Sequence, residues 1–272
     1  HHIVIDGGSL TVVFKELALA YQAALQGLSP EWEALSWHYP DYAHWQQQWL
    51  GSDEYQQQLA YWEQQLSDLP ALELPLDFPR PTEQRLLGGC LDFSVSSTQF
   101  LPLQDLASRH QVTDFTVFLA VFQWLLAKLS GQDDLAVGTP VAGRSHAAWE
   151  TLPGLFVNTV VLRAQLSNSL SFSEFLQQVK STVETAFCHQ EVPFGDVVEH
   201  LSPTRNLGQS PLFQAMFSWQ NMPPSDTPIV PGLSFSPRPL SSPQAKFDLS
   251  LDLLQHEGGV QATFEFNREV FD

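Results

Sequence analysis

Two histidines and an aspartate near the start of the chain are the residues best suited to acid–base chemistry. The segment is His1-His2-Ile3-Val4-Ile5-Asp6-Gly7. An imidazole exchanges protons near neutral pH, and Gly7 and Gly8 lack side chains, so their backbone N–H groups can come close to a ligand. We therefore take His2 as the candidate base and the N–H of Gly7 as a candidate donor to a developing oxyanion.

A strand, a tight turn and a helix are the elements predicted to position these residues. Residues 3–5 are β-branched and predict a buried strand, residues 6–8 predict the turn, and Ser9 predicts the N-cap of the helix. In a strand His2 and Asp6 are about 13 Å apart, so Asp6 cannot orient His2 as a triad carboxylate would. We expect Asp6 to be structural, together with His1, and to need a cation or several N–H donors as partners. The helix is indicated by apolar residues of helical period at Leu10, Val13, Phe14, Leu17, Tyr21, Ala24 and Leu25.

Paired histidines at a chain start are also what remains of a purification tag. However, the pattern H-H-x-x-x-D-G, followed by x-S and an amphipathic helix, resembles the core motif of the condensation domains of nonribosomal peptide synthetases, relatives of chloramphenicol acetyltransferase. Two further blocks resemble the same family in the same order. The first comprises Gly138-Thr139-Pro140 to Arg144 with residues 156–159, and the second comprises residues 189–194, Pro203-x-Arg205 and residues 211–217. The resemblance covers essentially the whole chain, with one local departure: Gly8 stands where many members have Trp.

Composition excludes several other classes of protein. The chain has 272 residues, 12 Lys and Arg against 30 Asp and Glu, and a formal net charge of −18. Such a charge argues against nucleic acid or an anionic membrane as a partner. Cys90 and Cys188 form no disulfide framework or metal-ligand pattern, which favours a reducing cytoplasm. No apolar run reaches the ~18 residues of a membrane span. Because the chain opens at what looks like the end of a strand, we expect it to be a piece of a longer protein.

The order of elements predicts an α/β (α+β) two-layer sandwich. The resemblance implies chloramphenicol acetyltransferase-like lobes in a V, of which the chain is a C-terminal portion lacking most of the N-lobe. Residues 1–80 are then the remainder of the N-lobe, ending in a proline-rich connector at residues 70–81, and residues 81–272 are the C-lobe. A helix over residues 41–66, broken near Gly51, is expected in the first part. The second part is predicted to contain strands at residues 91–95, 135–139, 155–163 and 212–220, helices at residues 114–129, from Ser171 and over residues 194–201, a long crossing loop at residues 222–243, and a final hairpin turned at residues 257–259.

The later blocks supply the remaining candidate site residues. Arg144 is the candidate partner of Asp6, since the chain has few cations and this one ends a family-like block. Ser218 and Gln220 lie on the polar side of an alternating strand and predict, with Gly8 and Asn158, the lining of a wet tunnel. His189 ends a helix and is expected to be a cap rather than a second base.

The resemblance implies the aminolysis of a thioester. The amine of an aminoacyl group on an acceptor peptidyl carrier protein attacks the thioester of a donor acyl or peptidyl group on another carrier, and an amide results. No cofactor is expected to bind directly, because the substrates arrive on the 4′-phosphopantetheine arms of the carriers, and an adenylation domain is the expected neighbour. No metal site, nucleic acid or membrane is expected.

Two other functions are compatible with the same motif. One is a non-catalytic member of the superfamily that recruits or docks carriers. The other is an epimerase-like relative, which would share H-H-x-x-x-D-G and act at a carrier-bound α-carbon. The two later blocks favour the condensation branch.

Overall fold

A computed structural model describes residues 1–81, 85–167, 169–201, 209–221, 233 and 244–272. Pro203-x-Arg205 and, apart from residue 233, the predicted loop at residues 222–243 lie outside the described residues. The chain forms two compact units. One comprises residues 1–57, 141–158 and 223–240, and the other comprises residues 58–140, 159–222 and 241–272. The lobe boundary near residue 80 stays a prediction.

The first unit is helical around an aromatic core. Helix α1 covers Gly7–Leu25 and α2 covers Tyr39–Trp49, and α3, Asp53–Leu66, begins in this unit. The break between α2 and α3 is at the predicted place. The core is formed by Tyr42, Trp149, Leu152 and Phe156, with Tyr39 and Trp45 packed against it.

The predicted strand at residues 3–5 is wrong. Val4 N–H donates to the carbonyl of His1 at 3.1 Å, as in a turn, and the side chains of Ile3 and Val4 are exposed. A strand persists only where its backbone groups pair with another strand, and the described sheet does not include these residues. The distance estimated between His2 and Asp6 assumed a strand and therefore no longer holds.

The predicted turn and N-cap are also displaced. Helix α1 already begins at Gly7, and Asp6 is its N-cap, with a side chain that accepts from the N–H of Ser9. A carboxylate is as good an N-cap as a hydroxyl. The N–H that it accepts from, that of Ser9, lies three residues later in the first turn and has no acceptor within the helix. Ser9 consequently lies inside the helix.

The second unit is built on a six-stranded mixed sheet. Its strands are β1 Gly88–Ser96, β2 Asp134–Val141, β3 Asn158–Gln165, β4 Ala215–Asn221, β5 Leu249–His256 and β6 Gly259–Asn267. Their spatial order is β1-β6-β5-β4-β2-β3. The predicted hairpin is the antiparallel pair β5 and β6, whereas β4 runs parallel to both β2 and β5. Residues 70–81 have no helix or strand but are not a free spacer, because Leu72 is buried and its N–H bonds to Gln214.

Among its described residues, this unit also contains the rest of α3 and four further helices: α4 Ser97–His110, α5 Asp114–Ser130, α6 Phe172–Cys188 and α7 Phe194–Leu201. The helix predicted at residues 114–129 is α5, with Thr113 as its N-cap and Gly131 as its C-cap. Helix α5 packs on the apolar face of the sheet through Phe122, which meets the ring of Phe217. Its opposite side, including Trp124, is about half exposed, because a helix that covers one face of a sheet buries only one side.

Among the described residues, no single helix has the length and apolarity to cross a bilayer, and only the sharply bent pair α4 and α5, counted together, meets that test.

Candidate active site

Asp6 and Arg144 form the predicted ion pair. Arg144 Nη2 lies 3.0 Å from Asp6 Oδ1, and the two side chains are only 8% and 3% exposed. Arg144 also donates from Nη1 to the carbonyls of Trp149 and Leu152. Burying either charge alone would be costly, but the two side chains compensate each other, and the carbonyls bind the N–H groups of Arg144 Nη1.

Ser9 joins this pair to a second segment of the chain. It is fully buried, and its hydroxyl lies 2.7 Å from Asp6 Oδ1 and 2.8 Å from the carbonyl of Gly154. The same oxygen accepts from Arg144 Nη2 at 3.0 Å and from the N–H of Gly154 at 2.9 Å. All hydrogen-bonding capacity of this hydroxyl is thus used.

The other oxygen of Asp6 holds the backbone further along the same segment. Oδ2 accepts from the N–H groups of Phe156 at 2.9 Å and Val157 at 3.3 Å. Burial alone would raise the pKa of Asp6, but the hydrogen bonds from Ser9, Phe156 and Arg144 outweigh it and lower the pKa from 3.8 to about 2. Asp6 is a carboxylate at neutral pH and cannot act as a general acid there.

Gly7 and Gly8 occupy the first turn of α1 and differ in their surroundings. A Cβ on Gly7 would meet nothing within 4 Å, whereas one on Gly8 would come 2.9 Å from Arg144 Nε. The Nε–H of Arg144 has no hydrogen-bond partner among the described residues. The absence of a side chain at Gly8 therefore leaves room for the guanidinium of Arg144. No atom of the described residues lies close to the Cβ position of Gly7.

His2 lies in the exposed turn that precedes this network, four residues before Asp6. Its neighbour His1 accepts from the N–H of Ile3 through Nδ1 at 3.2 Å, which closes the turn. Because the N–H groups of the first helical turn have no acceptor within the helix, the N–H of Gly7, an exposed residue, suits an anionic oxygen. A short stretch of chain therefore separates His2 from Gly7. Asp6, as the N-cap of α1, fixes the end of that stretch where the helix begins.

The other candidates occupy different places. Asn158 is the first residue of β3 and is half-buried. Ser218 is buried and bonds to the side chain of Asp252, the residue opposite it on β5, whereas Gln220 is exposed. That these residues and Gly8 line a tunnel stays a prediction.

His189 is the C-cap of α6, as predicted. Its Nδ1 lies 2.7 Å from the carbonyl of Thr185, and because a carbonyl only accepts, this nitrogen carries the proton. The ring also stacks on Tyr61 with the centroids 3.9 Å apart. These contacts account for His189 without a catalytic role.

Sequence reasoning missed Ser9 as a bonding partner, and it missed Tyr39, whose hydroxyl donates to the carbonyl of Leu155 at 2.8 Å. The spacing Asp6-x-x-Ser9 is the capping pattern that would have identified Asp6 as the N-cap and Ser9 as its first partner. Nothing in the sequence indicates the contacts with residues 154–157, since these depend on an irregular backbone.

The family model named Condensation domain matches residues 1–272. The chain belongs to the condensation-domain family. Related synthetases include malpinin synthetase of Mortierella alpina, 40% identical over 273 residues, and tyrocidine synthase 3 of Brevibacillus parabrevis, 39% identical over 272 residues. Each match covers all of this chain and 4% of the relative, so the condensation domain spans a small part of the length of these proteins.

Solved structures show the same fold. The X-domain from teicoplanin biosynthesis has a TM-score of 0.90 at 24% identity, and the condensation domain from the monacolin K polyketide synthase MokA has 0.83 at 21%. The match covers all of this chain and 63% and 64% of those chains. The four-domain nonribosomal peptide synthetase AB3403 has 0.88 at 27% identity, with 22% of that chain covered. The fold is the predicted chloramphenicol acetyltransferase-like mixture of helices and sheet, and the chain corresponds to the C-terminal portion of the X-domain and MokA structures.

Amide-bond formation from carrier-bound substrates is the general role of condensation domains in nonribosomal peptide synthetases, where carrier and adenylation domains are their partners. The predicted family is confirmed, and its related proteins include synthetases of antibiotics and other secondary metabolites.

Proposed function

We propose that this condensation domain joins a donor acyl or peptidyl thioester on one carrier protein to the amine of an aminoacyl thioester on another. Family membership supports the reaction class. The observation that carries the proposal is the buried network of Asp6, Ser9 and Arg144. It fixes Asp6, the N-cap of α1, which lies between the turn that bears His2 and the first helical residue, Gly7.

The reaction forms one C–N bond and breaks one C–S bond. The acceptor nitrogen attacks the donor carbonyl carbon, the carbonyl oxygen becomes negative, and the phosphopantetheine thiol leaves with a proton. His2 keeps the amine neutral or takes its proton, which contributes about 10²–10⁴-fold. The N–H of Gly7 donates to the oxyanion.

Alignment is expected to contribute most of the rate. A thioester is already activated, and holding two tethered reactants in a productive geometry lowers the barrier by ~7–11 kcal/mol. Asp6 and Arg144 serve this purpose indirectly, since they bond to each other and to the backbone. Gly8, Asn158, Ser218 and Gln220 are proposed to contact the substrates.

The proposed partners are a donor and an acceptor peptidyl carrier protein and an adenylation domain of the same synthetase. With a formal net charge of −18, the chain would repel an acidic carrier at long range, so a carrier must dock on a local neutral or basic patch. A cytoplasmic location stays a prediction.

The test is reconstitution of a complete synthetase module that contains residues 1–272. Donor and acceptor carriers are loaded with chemically defined aminoacyl groups, mixed with the module, and analysed by intact-protein mass spectrometry. A dipeptidyl group on the acceptor carrier is expected. If loaded carriers bind but no amide forms, the proposal is wrong and a carrier-docking role is favoured; if the carrier-bound α-carbon changes configuration instead, an epimerase-like role is favoured.

A further inference from the structure

Residues 152–157, which we call the tethered segment, form no helix or strand. Irregular backbone in a buried region needs other partners for its N–H and C=O groups. Here side chains from elsewhere in the unit supply them. Arg144 donates to the carbonyl of Leu152 at 2.8 Å, and Asp6 accepts from the N–H groups of Phe156 and Val157.

Ser9 and Tyr39 hold the middle of the tethered segment. Ser9 bonds to both the N–H and the carbonyl of Gly154, at 2.9 and 2.8 Å. Tyr39 donates to the carbonyl of the next residue, Leu155, at 2.8 Å. Three consecutive peptide groups are therefore fixed by two hydroxyls that lie 30 positions apart in the sequence.

Packing makes the position of the segment specific. A Cβ on Gly154 would come 2.1 Å from the ring of Tyr39, so glycine is needed for the ring to approach. The same ring meets Phe156 edge-on with the centroids 5.3 Å apart, and the guanidinium of Arg144 lies 4.2 Å above the Phe156 ring. The segment can shift only if these contacts break.

We propose that Ser9 and Tyr39 are positioning residues of the condensation reaction, because they hold the tethered segment against the first turn of α1 and so fix the Asp6–Gly7 backbone. This inference rests on the proposed function. Neither residue needs to touch substrate: Ser9 acts through Asp6 and Gly154, and Tyr39 acts through Leu155.

Both hydroxyls are in the protonation state that the role requires. Burial and the negative charge of Asp6 raise the pKa of Tyr39, so its hydroxyl stays a donor at neutral pH. The hydroxyl of Ser9 has one proton and two acceptors within reach, Asp6 and Gly154, while it accepts from two donors. Removing its oxygen would leave the Gly154 N–H without an acceptor.

The experiment compares Ser9→Ala and Tyr39→Phe in the complete module. Thr11→Ala and Tyr21→Phe are the matched controls, since both residues lie on α1 with exposed side chains. For each variant, kcat and the KM for the acceptor carrier are measured by product mass spectrometry, and the melting temperature is recorded. Tyr39→Phe keeps the ring and carries the test if Ser9→Ala fails to fold.

We expect kcat to fall about tenfold to a hundredfold for Ser9→Ala and less for Tyr39→Phe, since small displacements of catalytic groups have effects of this size. KM should stay close to the wild-type value, because binding surfaces are unchanged. The double variant should lose less than the product of the single losses, since both residues hold the same segment. The controls should match the wild type.

Amide exchange separates this inference from the proposed function. The N–H groups of Gly154, Phe156 and Val157 should exchange faster in Ser9→Ala and Tyr39→Phe, whether or not the module is active. A wild-type module that forms no amide overturns the proposed function and the catalytic role inferred from it. An active wild type, with variants that lower the melting temperature but leave kcat unchanged, or raise KM alone, overturns the positioning role only.

Discussion

The carboxylate of Asp6 accepts hydrogen bonds from Ser9, Arg144 and the backbone of residues 156 and 157. Its need for a cation was predictable, because a buried carboxylate is costly when unpaired, and Arg144 was identified from the scarcity of cations and its place in the sequence. Its role as a helix cap and the identity of its backbone partners were not predicted, since the assumed strand at residues 3–5 placed the turn at residues 6–8, where α1 already begins.

Breaking the ion pair from either side is expected to destabilise the protein. Asp6→Ala or Arg144→Ala leaves a buried charge without its partner and should lower the free energy of unfolding by about 3–5 kcal/mol. Urea unfolding measures this. The double variant should lose less than the sum of the two single losses. Wild-type unfolding midpoints for both single variants would show that the pair contributes nothing.

Gly7 and Gly8 offer a matched pair for testing the packing of Arg144. Gly8→Ala brings a methyl group 2.9 Å from Arg144 Nε, so the guanidinium must move and the melting temperature should fall. Gly8→Trp, with a larger side chain, should lower the melting temperature as well. Gly7→Ala meets open space and should be neutral or stabilise by about 0.5–1 kcal/mol, the usual gain over glycine in a helix. Equal effects of the two alanine variants would contradict this account.

The strands of the second unit place polar residues in rows that the sequence could only partly indicate. Ser218 faces Asp252, Asp252 faces Thr263, and Thr263 faces Asp92, to which it donates at 2.6 Å. Alternation along β4 revealed the polar side of that strand. Predicting the rows requires the register between β4, β5, β6 and β1. That register cannot be read from a local sequence pattern, because the paired residues lie far apart in the sequence.

Asp252 should make stability rise as the pH falls. Burial raises the pKa of Asp252, and the bond from Ser218 offsets this only in part; among the described residues it has no ion pair. A carboxyl group with a raised pKa in the folded state binds its proton more tightly there, so its destabilising effect is full at neutral pH and disappears as the pH falls through the folded pKa toward 3.8.

Asp252→Asn is therefore expected to raise the melting temperature at pH 7, with a gain that shrinks on acidification. Thermal unfolding between pH 7 and pH 4 measures it. Asp105→Asn on the exposed side of α4 is the control and should show no such trend. A lower melting temperature for Asp252→Asn at pH 7 would mean that the ionised carboxylate has a stabilising partner.

Across the whole molecule, the sequence predicted element types better than their ends and partners. The helix start at Ser171 is a local feature and was predicted correctly, since Ser171 is the N-cap of α6. Helix α4 was missed although Ser96 and Gln99 form a capping box, because Pro102 within it argues against a helix. Likewise, the family followed from short motifs in order, whereas the parallel placement of β4 between β2 and β5 depends on contacts over about 75 and 35 residues.

The central claim is that His2 is the base of amide formation, and single-turnover condensation by a His2→Ala module tests it most directly. Preloaded carriers are mixed at saturating concentration, and the dipeptidyl product is followed by mass spectrometry; His44→Ala, on the exposed side of α2, is the control. We predict that His2→Ala lowers the rate by at least about 10²-fold while the melting temperature stays unchanged, and that His44→Ala matches the wild type. A His2→Ala module that forms the amide at the wild-type rate would contradict the account.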